Sequence, residues 1–488
     1  MNRSHHDTRP AEVTGHPHAV LVVDLDGTLI STDLLFEAVA RVVRESPWLL
    51  VLLPFWLLRG RAFLKTQLAR RIDIDAAALP YRHEVVEQLR DHHRAGRRLV
   101  LATASPRRWA DKVAQHLGIF DSVLATDESG NVKGKGKRSA IQAYLGDLAF
   151  EYMGDSRADF HVWRGAVGQH VVSSSASFRS MVKAEFPGAR EIAVARHPML
   201  MVWIRALRCH QWVKNLLLFV PLIMAHQFGE MEPLLRVLVG CIAFCLCASG
   251  VYLWNDIADV DADRAHHRKC NRPIASGALP IAHALVAVPL LFAAAFTVSL
   301  YSGSDFQVVL LIYAAITSLY TVWLKKLVLI DILTLAGLYT LRIFAGGVAA
   351  AVVVSHWLFV FSLFFFLSLA AVKRFSELFT LRKRNLEESA GRGYRAEDLE
   401  QVAVFGASSG YLSVLVLALY VSSDEVRGLY TEPQLLWFIC PLLLYWVSRV
   451  WLLAHRGVLH EDPIVFAITD RSSYVVGLCV AAVLAASI

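Results

Sequence analysis

The sequence is poor in charge, in early cysteines and in basic runs, and each shortage excludes a class of protein. Only 19% of its 488 residues are charged and 55% are hydrophobic, whereas about 25% charge is typical of a soluble domain. All seven cysteines follow residue 200 and none has CxxC spacing, which excludes a disulfide scaffold and a metal site of the zinc-finger type. The net charge of +7 comes without a long Lys/Arg run, so no nucleic-acid partner is expected. These properties indicate a protein that is at least partly embedded in a membrane.

The N-terminal part of the chain differs in composition from the rest. The first 200 residues hold 27 Lys+Arg and 22 Asp+Glu, and the remaining 288 hold 22 and 20. The first 20 residues contain no apolar stretch of signal-peptide length, so we expect the N-terminus to stay in the cytoplasm. We predict a soluble domain over residues 18–185, a linker over 186–200 and a membrane domain over 201–488.

Apolar stretches recur after residue 200, and a spanning helix needs about 20 largely apolar residues. Nine stretches are candidates, of which the first and last are short: 212–225, 234–254, 278–300, 307–324, 327–352, 357–372, 402–421, 434–454 and 474–488. We predict nine spans, with eight as the alternative. The loops after the even-numbered spans carry 15 Lys/Arg and the other loops two, which places the even loops and the N-terminal domain in the cytoplasm.

The loop after the second predicted span carries a run of acids, Asn255-Asp256-Ile257-Ala258-Asp259-Val260-Asp261-Ala262-Asp263. If the run is helical, Asp261 points away from a face that the other polar residues share; these are Asn255, Asp256, Asp259 and Asp263. Such a face repels itself unless it binds a cation, and hard oxygen ligands suit Mg²⁺ held together with substrate phosphates. The sequence therefore predicts a Mg²⁺ site with these four residues as ligands.

This run resembles the NDxxDxxxD motif of the UbiA-type membrane prenyltransferases, all-helical proteins with nine spans around a cavity that opens to the cytoplasmic side. Within that superfamily, four further segments resemble the decaprenyl-phosphate phosphoribosyltransferase branch: Gln211–Asn215, Asn271–Gly277, Lys373–Leu378 and Asp462–Arg471. Most members of the superfamily carry a second Asp-rich DxxD motif after the sixth span. Here that motif is absent.

The absence changes the charge of the second site. Two carboxylates would help to bind a second Mg²⁺ for a prenyl diphosphate, whereas Lys373 and Arg374 donate directly to phosphate oxygens. A polyprenyl phosphate acceptor and a phosphoribosyl diphosphate donor would need such cations. The alternative is that both side chains only anchor the sixth span at the interface.

Two ionisable residues lie within the fifth predicted span. Buried charges in a span usually face the cavity, so Arg342 is a candidate phosphate contact, and Asp331 is either a polar brace or a helix cap. The predicted substrate site then comprises Lys214, Lys269, Arg272, Arg342, Lys373, Arg374 and Glu377.

The soluble part has the pattern of an α/β domain. Apolar strand candidates alternate with helical segments and begin at Val20, Leu99, Tyr152 and His170. Polar residues follow these strands, at the edge where open α/β sheets bind ligands. The predicted fold class is therefore α/β followed by an all-α polytopic membrane domain of about nine transmembrane helices.

Four elements follow one another in the soluble part: Asp24–Thr28, Thr103–Ser105, Lys133–Lys137 and Gly154–Asp159. In this order they resemble the motifs of the haloacid dehalogenase superfamily of phosphatases, which have a Rossmann-like α/β fold with a helical cap. By that resemblance, Asp24 is the nucleophile that takes up the phosphoryl group, and Asp26 is the general acid/base. Asp155 and Asp159 would help Asp24 to hold Mg²⁺, so the resemblances imply Mg²⁺ at both sites.

Two further positions in this phosphatase set would bind the transferring phosphoryl group. Thr103 would donate a hydrogen bond to it, with Ser105 as the rival. Lys137 would offset its charge; it is preferred over Lys133 and Lys135 because it has Gly-x-x-Lys spacing and begins a helical pattern.

The expected cap covers about residues 32–90 and contains an apolar run of 12 residues, 47–58, interrupted by Pro54. Five basic residues follow the run: Arg59, Arg61, Lys65, Arg70 and Arg71. This profile favours a segment that lies on an anionic leaflet, and the alternative is an ordinary buried cap helix.

Taken together, the resemblances imply a two-step enzyme of the inner membrane with both active sites on the cytoplasmic side. The membrane domain would transfer 5-phosphoribose from phosphoribosyl diphosphate to a polyprenyl phosphate, and the soluble domain would remove the 5-phosphate to give a precursor for envelope glycans. Two alternatives remain: a prenyltransferase that acts on an aromatic acceptor, and a membrane transferase with a non-catalytic docking domain.

Overall fold

The computed structural model describes residues 19–126, 134–195, 198–385, 392–423, 426, 428–459, 463–467 and 469–487. The chain forms two compact units. Unit 1 comprises Met1–Ala206 and Asp256–Val286, and unit 2 comprises Leu207–Asn255 and Ala287–Ile488. The segment Asp256–Val286, which includes most of the acidic run, thus folds with the N-terminal domain, although the sequence places it in the membrane domain.

The described strands are β1 (Val20–Val23), β2 (Leu99–Pro106), β3 (Ser122–Thr126), β4 (Phe150–Gly154), β5 (Gly168–Val172) and β6 (Arg190–Ile192). The described α-helices are α1 (Leu34–Glu45), α2 (Leu53–Leu58), α3 (Arg61–Arg71), α4 (His83–Arg94), α5 (Arg107–Leu117), α6 (Lys135–Leu145), α7 (Phe160–Trp163), α8 (Ala176–Glu185), α9 (Met199–Ala206), α10 (Val220–Met224), α11 (Met231–Ala258), α12 (Val260–Ala265), α13 (Ile281–Ser299), α14 (Ser304–Val322), α15 (Ile330–Ala350), α16 (His356–Lys383), α17 (Leu399–Val421), α18 (Ile439–His455), α19 (Pro463–Ala467) and α20 (Arg471–Ser487).

Unit 1 is built on a parallel sheet with the strand order β3-β2-β1-β4-β5-β6. All four residues of β1 are buried, with Leu21 and Val23 in one core cluster and Val20 and Val22 in another. An apolar run buried on both faces is typical of the centre of a parallel sheet. The predicted α/β class is confirmed, and the neighbours of β1 bring the carboxyl ends of β2 and β4 beside its own.

Part of the stretch predicted as a linker, 186–200, belongs to the sheet. Strand β6 pairs with β5 through registers such as Val171↔Glu191, and α9 begins at Met199. The reason is that Ile192 buries its side chain in the core, so these residues add an edge strand instead of connecting two domains freely.

The cap region between β1 and β2 contains α1 to α4, as the position of the insertion predicts. A 3-10 helix over Pro47–Val51 and α2 occupy the apolar run. No residue of α2 is buried, and the run exposes several large apolar side chains: Trp48, Val51, Phe55, Leu57 and Leu58.

The protein is a multi-pass membrane protein. Seven helices within the described residues are long and apolar enough to span a membrane: Met231–Ala258, Ile281–Ser302, Ser304–Val322, Ile330–Ala350, His356–Lys383, Ala396–Val421 and Pro433–His455. They match the second to eighth predicted spans. The ninth is an apolar helix of only 17 residues, Arg471–Ser487, and the first is a 3-10 helix over Cys209–Phe219 followed by the short α10. The count of nine is therefore not confirmed.

Within unit 2, α15 approaches the 3-10 helix Cys209–Phe219 very closely. A Cβ atom on Gly346 would lie 1.9 Å from the carbonyl oxygen of Leu218, so only glycine fits there. This approach brings side chains of the 3-10 helix within hydrogen-bond reach of α15, as described below.

Candidate active sites

The acids predicted for the phosphatase centre meet at the carboxyl ends of β1 and β4. Asp24 follows β1 directly, and Asp155 and Asp159 follow β4. One oxygen from each of the three carboxylates lies within 4.8 Å of the others, and no other set of three His, Cys, Asp or Glu side chains in the described residues is so close. Three hard oxygen donors at this spacing fit Mg²⁺, and the bound ion would offset the charge of a phosphoryl group.

Lys137 enters the same centre from α6. Its Nζ lies 2.8 Å from Asp24 Oδ1 and donates to Tyr152 Oη over 3.0 Å, and the Tyr152 hydroxyl donates to Asp159 Oδ1 over 2.9 Å. Lys137 thus occupies the place predicted for it, and Lys133 lies outside the described residues. The sequence did not predict the role of Tyr152, whose hydroxyl connects Lys137 to Asp159. The available signal was a polar hydroxyl within a segment predicted as a buried strand.

The electrostatics of this centre favour a bound cation. Burial raises the pKa of Asp24 to about 7 although Lys137 lowers it, and burial with the nearby charges of Asp24 and Asp159 raises the pKa of Asp155 to about 8. Carboxyls that resist ionisation without a counter-charge ionise readily beside a divalent cation. The donor set and its charge therefore both suit Mg²⁺.

Asp26 lies on the turn after β1 and is oriented by two groups. Ser105 Oγ donates to Asp26 Oδ2 over 2.7 Å, and the Leu34 N–H at the start of α1 donates to Oδ1 over 2.9 Å. The turn needs Gly27, whose φ is +80° and whose Cβ would lie 2.2 Å from an Asp155 oxygen. Thr103 is fully buried and accepts a hydrogen bond from the Ser105 N–H over 3.0 Å. The choice between Thr103 and Ser105 as the phosphoryl donor stays a prediction.

The acidic run is helical in two pieces. Asn255 and Asp256 lie in the last turn of α11, Asp259 is the residue before α12, and Asp263 lies within α12. The Asp263 N–H donates to the Asp259 carbonyl over 2.8 Å, so Asp259 and Asp263 stay one helical turn apart.

Arg272 lies between two of these acids. Its Nη1 is 3.1 Å from Asp256 Oδ1 and 2.6 Å from Asp263 Oδ2. Burial raises the pKa of Asp263 although Arg272 lowers it. The structure thus joins two of the predicted ligands to a predicted phosphate-binding residue, with Lys269 exposed nearby in a 3-10 helix. A metal site here stays a prediction.

In unit 2, Arg342 is buried and held by three neutral groups. Its Nε donates to Asn215 Oδ1 over 3.0 Å, its Nη1 to the Leu338 carbonyl over 2.7 Å and its Nη2 to Tyr313 Oη over 2.8 Å. Lys214, also buried, lies over the ring of Tyr339 at 5.6 Å. Sequence reasoning missed Asn215 as a partner of Arg342, although an amide inside an apolar segment was a signal.

Arg374 has a different environment from the one expected of a phosphate ligand. Its side chain is fully buried and forms ion pairs with Asp331 and Glu377, and Asp331 also accepts from Tyr394 Oη over 2.7 Å. Asp331 thus braces Arg374 and Tyr394, and it also lies in the first turn of α15, so both sequence interpretations of this residue stay open. Lys373 is half-buried, and Asp462 of the last predicted segment lies outside the described residues. The phosphate-binding roles of Lys373, Arg374 and Glu377 stay predictions.

Together, the fold and these centres define a membrane-embedded transferase of the helical type joined to an α/β hydrolase domain. Residues 216–468 match the UbiA prenyltransferase family, and residues 21–164 match the haloacid dehalogenase-like hydrolases. The chain belongs to the UbiA prenyltransferase family and carries a haloacid dehalogenase-like domain at its N-terminal side, as the sequence predicts.

Three curated proteins illustrate the relationship. The uncharacterized protein y4nM of Sinorhizobium fredii is 35% identical over 94% of this chain and 89% of its own length. Nodulation protein NoeC of Azorhizobium caulinodans is 34% identical over 56% of this chain and 89% of its own. Decaprenyl-phosphate phosphoribosyltransferase of Mycolicibacterium smegmatis is 36% identical over 36% of this chain and 56% of its own.

Proposed function

We propose that the membrane domain transfers 5-phosphoribose from phosphoribosyl diphosphate to a polyprenyl phosphate and that the N-terminal domain then removes the 5-phosphate. The observation that carries the proposal is the similarity to decaprenyl-phosphate phosphoribosyltransferases, together with Lys373 where most family members have a second acidic motif. The product, a polyprenyl-phosphate pentose, would serve cell-envelope glycan assembly. The Lys/Arg asymmetry of the loops favours the cytoplasmic face of the inner membrane for both sites.

In the transfer step, an oxygen of the lipid phosphate attacks the anomeric carbon of the ribose, and the bond from that carbon to the diphosphate breaks. Asp256, Asp259 and Asp263 would hold Mg²⁺, which stabilises the charge of the departing diphosphate. Lys214 and Arg342 are buried cations of unit 2 and would bind phosphate oxygens, since ionisable groups within spans usually serve a substrate pathway.

In the second step, the Asp24 carboxylate attacks the phosphorus of the 5-phosphate while Asp26 protonates the departing ribose oxygen. The resulting aspartyl phosphate is hydrolysed when Asp26 takes a proton from water. Lys137, at 2.8 Å from Asp24, offsets the negative charge of the phosphoryl group. The hydrogen bond from Ser105 to Asp26 orients the acid for both proton transfers.

The test is a transfer assay on the purified full-length protein in detergent, with labelled phosphoribosyl diphosphate and a polyprenyl phosphate. We expect label in the lipid fraction that requires Mg²⁺. Asp256→Asn and Asp259→Asn should abolish it and leave hydrolysis of a soluble phosphate monoester unchanged. The matched control is Asp305→Asn, which removes an exposed carboxylate at the start of α14 and should leave both activities unchanged. Absence of labelled lipid, with transfer of a prenyl group to an aromatic acid, would establish the conventional prenyltransferase instead.

A further inference from the structure

Two ion pairs within unit 1 join helix α1 to helix α12. Arg41 Nε and Nη2 lie 3.0 and 3.2 Å from the two carboxylate oxygens of Asp261. Arg264 Nη2 and Nη1 lie 2.8 and 2.9 Å from the two oxygens of Glu37. Both arginines therefore bind their carboxylate with two parallel hydrogen bonds, which is the strongest and most directional form of this interaction. We call these four residues the charge clamp.

The charge clamp is largely shielded from water. The side chains of Glu37, Arg41 and Arg264 are 1%, 5% and 8% exposed, and that of Asp261 is 19% exposed. Exposed ion pairs contribute little to the stability of a fold. Removing one partner of a buried pair, in contrast, leaves an uncompensated buried charge and strongly destabilises the folded state. Loss of any one of the four charges should therefore weaken the contact between the two helices.

The order of the charges fixes the register of the two helices. Helix α1 presents an acid and then a base, four residues apart, and α12 presents an acid and then a base, three residues apart, so each helix offers neighbouring positions on one face. Each base meets an acid only in one alignment. Shifting or reversing α12 would place like charges opposite each other, which is unfavourable.

A second contact fixes the chain beyond the clamp. Gly277, with φ +75°, packs so closely on Ser31 that a Cβ would lie 2.0 Å from its hydroxyl oxygen. Arg264 also donates to the Ala275 carbonyl over 2.9 Å. The stretch from α12 to Gly277 is therefore held to the N-terminal domain at two places, and Arg272 lies between them.

Helix α12 begins directly after Asp259 and contains Asp263, two acids of the proposed transfer site, while Asp261 between them belongs to the charge clamp. We propose that Glu37, Arg41, Asp261 and Arg264 are positioning residues through which the phosphatase domain holds the acidic run of the transferase in its working conformation. This inference rests on the proposed function for its catalytic consequence, but the positioning itself does not depend on which group is transferred. The N-terminal domain would thus be required for transfer even when its own chemistry is abolished.

The test uses the full-length protein with reversed charges. Glu37→Arg and Arg264→Glu each place like charges together, and the double variant restores an opposite pair. Arg44→Asp is the matched control, because Arg44 is exposed near the end of the same helix. Hydrogen exchange of the amides at 259–266 reports the positioning directly, and phosphoribosyl transfer and hydrolysis of a soluble phosphate monoester are measured on the same samples.

We expect each single reversal to accelerate amide exchange at 259–266 by about tenfold or more and to reduce kcat/KM for transfer, while monoester hydrolysis stays within about twofold because no clamp residue touches that centre. The double variant should recover both exchange and transfer, and the control should change neither. Recovery separates a specific pairing from a general loss of folding.

If a reversed variant fails to fold, the same double-mutant cycle can be made without a repulsive contact from Glu37→Gln, Arg264→Gln and their combination. The double variant should then lose less amide protection and less transfer activity than the two single variants lose in sum. Unchanged exchange in the single variants, or additive losses in the cycle, would overturn the proposal. If the unaltered protein shows no phosphoribosyl transfer, the proposed function fails, and the exchange rates still decide whether the clamp positions the acidic run.

Discussion

Glu151 is a buried acid whose charge is balanced inside the sheet of unit 1. Its carboxylate lies 2.8 Å from Arg97 Nη2 and 2.8 Å from His170 Nε2, and all three side chains are at most 5% exposed. Burial alone would raise the pKa of Glu151, but the hydrogen bonds from His170 and Arg97 outweigh it and hold the pKa well below its usual range. The folded state is therefore stabilised by the ionised form.

We predict that Glu151→Gln lowers the free energy of unfolding of this domain by about 3–5 kcal/mol, because Arg97 remains buried without its counter-charge. Folding lowers the pKa of Glu151, so the ionised carboxylate stabilises the folded state fully at pH values above the ordinary Glu pKa of about 4.3. This stabilisation is lost as the pH falls below that value. Acidification should therefore destabilise the unaltered protein more than the variant. The urea midpoint for loss of monoester hydrolysis, measured at several pH values, checks this, with the exposed Glu84→Gln as the control. Equal midpoints for Glu151→Gln and the unaltered protein would refute it.

Single residues also show how far a sequence predicts a site. Asp24 and Asp155 were predictable because each follows a buried parallel strand, and neighbouring strands bring their carboxyl ends together. The partners of the basic residues were not predictable in this way. Arg374 binds Asp331 across 43 positions, and only the packing of two helices determines that contact.

Among the elements, α2 and the preceding 3-10 helix expose part of their apolar side chains on the surface of the cap, although Leu49 is buried in the core. Leu58 is 85% exposed, and Trp48 and Phe55 are 65% and 60% exposed. Exposed large apolar side chains of this kind in a membrane protein are expected to contact lipid, and Arg59 and Arg61, which follow directly, would face anionic headgroups. This arrangement favours the interfacial interpretation of residues 47–58 over the buried cap helix.

We predict that a photoreactive benzoyl-phenylalanine in place of Leu58 crosslinks to lipid when the full-length protein is reconstituted in bilayers containing anionic lipid. The control places the same residue at Leu148, which is 53% exposed elsewhere in unit 1. It should give no lipid crosslink. Mass spectrometry of the digested protein identifies the adducts. Equal lipid labelling at both positions, or none at position 58, would contradict the interfacial interpretation and support an ordinary cap helix.

Elements differ in how well the sequence predicts them. Long apolar helices and the central strands were predicted, since their patterns extend over many residues. Strands β3 and β6 were not, because β3 has one fully buried residue and β6 has three residues in all. The segment Cys209–Phe219 has the apolar composition of a membrane span. Composition does not determine whether such a segment forms an α-helix or a 3-10 helix, and this segment forms a 3-10 helix.

For the whole molecule, the proposed function requires the two reactions to act in sequence on one lipid. We predict that Asp24→Asn, which removes only the phosphatase nucleophile, leaves transfer intact and accumulates the lipid-linked 5-phosphoribose, whereas the unaltered enzyme accumulates the dephosphorylated form. Mass spectrometry of the lipid product distinguishes these by the mass of one phosphate. If both proteins release the same phosphorylated lipid, the N-terminal domain acts on another substrate.

The folding of Asp256–Val286 with the N-terminal domain also constrains the parity of membrane crossings. Segments that touch each other lie on the same side of a bilayer, so the chain between Ala206 and Asp259 must cross it an even number of times. If α11 supplies one crossing, as its length and composition allow, a second is needed, and we predict that the described segment Cys209–Met224 supplies it. Its 11 residues of 3-10 helix and five of α-helix would rise by about 22 Å and about 7.5 Å, and along one axis these sum to about 30 Å, the thickness of the hydrocarbon core. Stretched helical geometry would in this way let a segment too short for an ordinary span return the chain to the side from which it started.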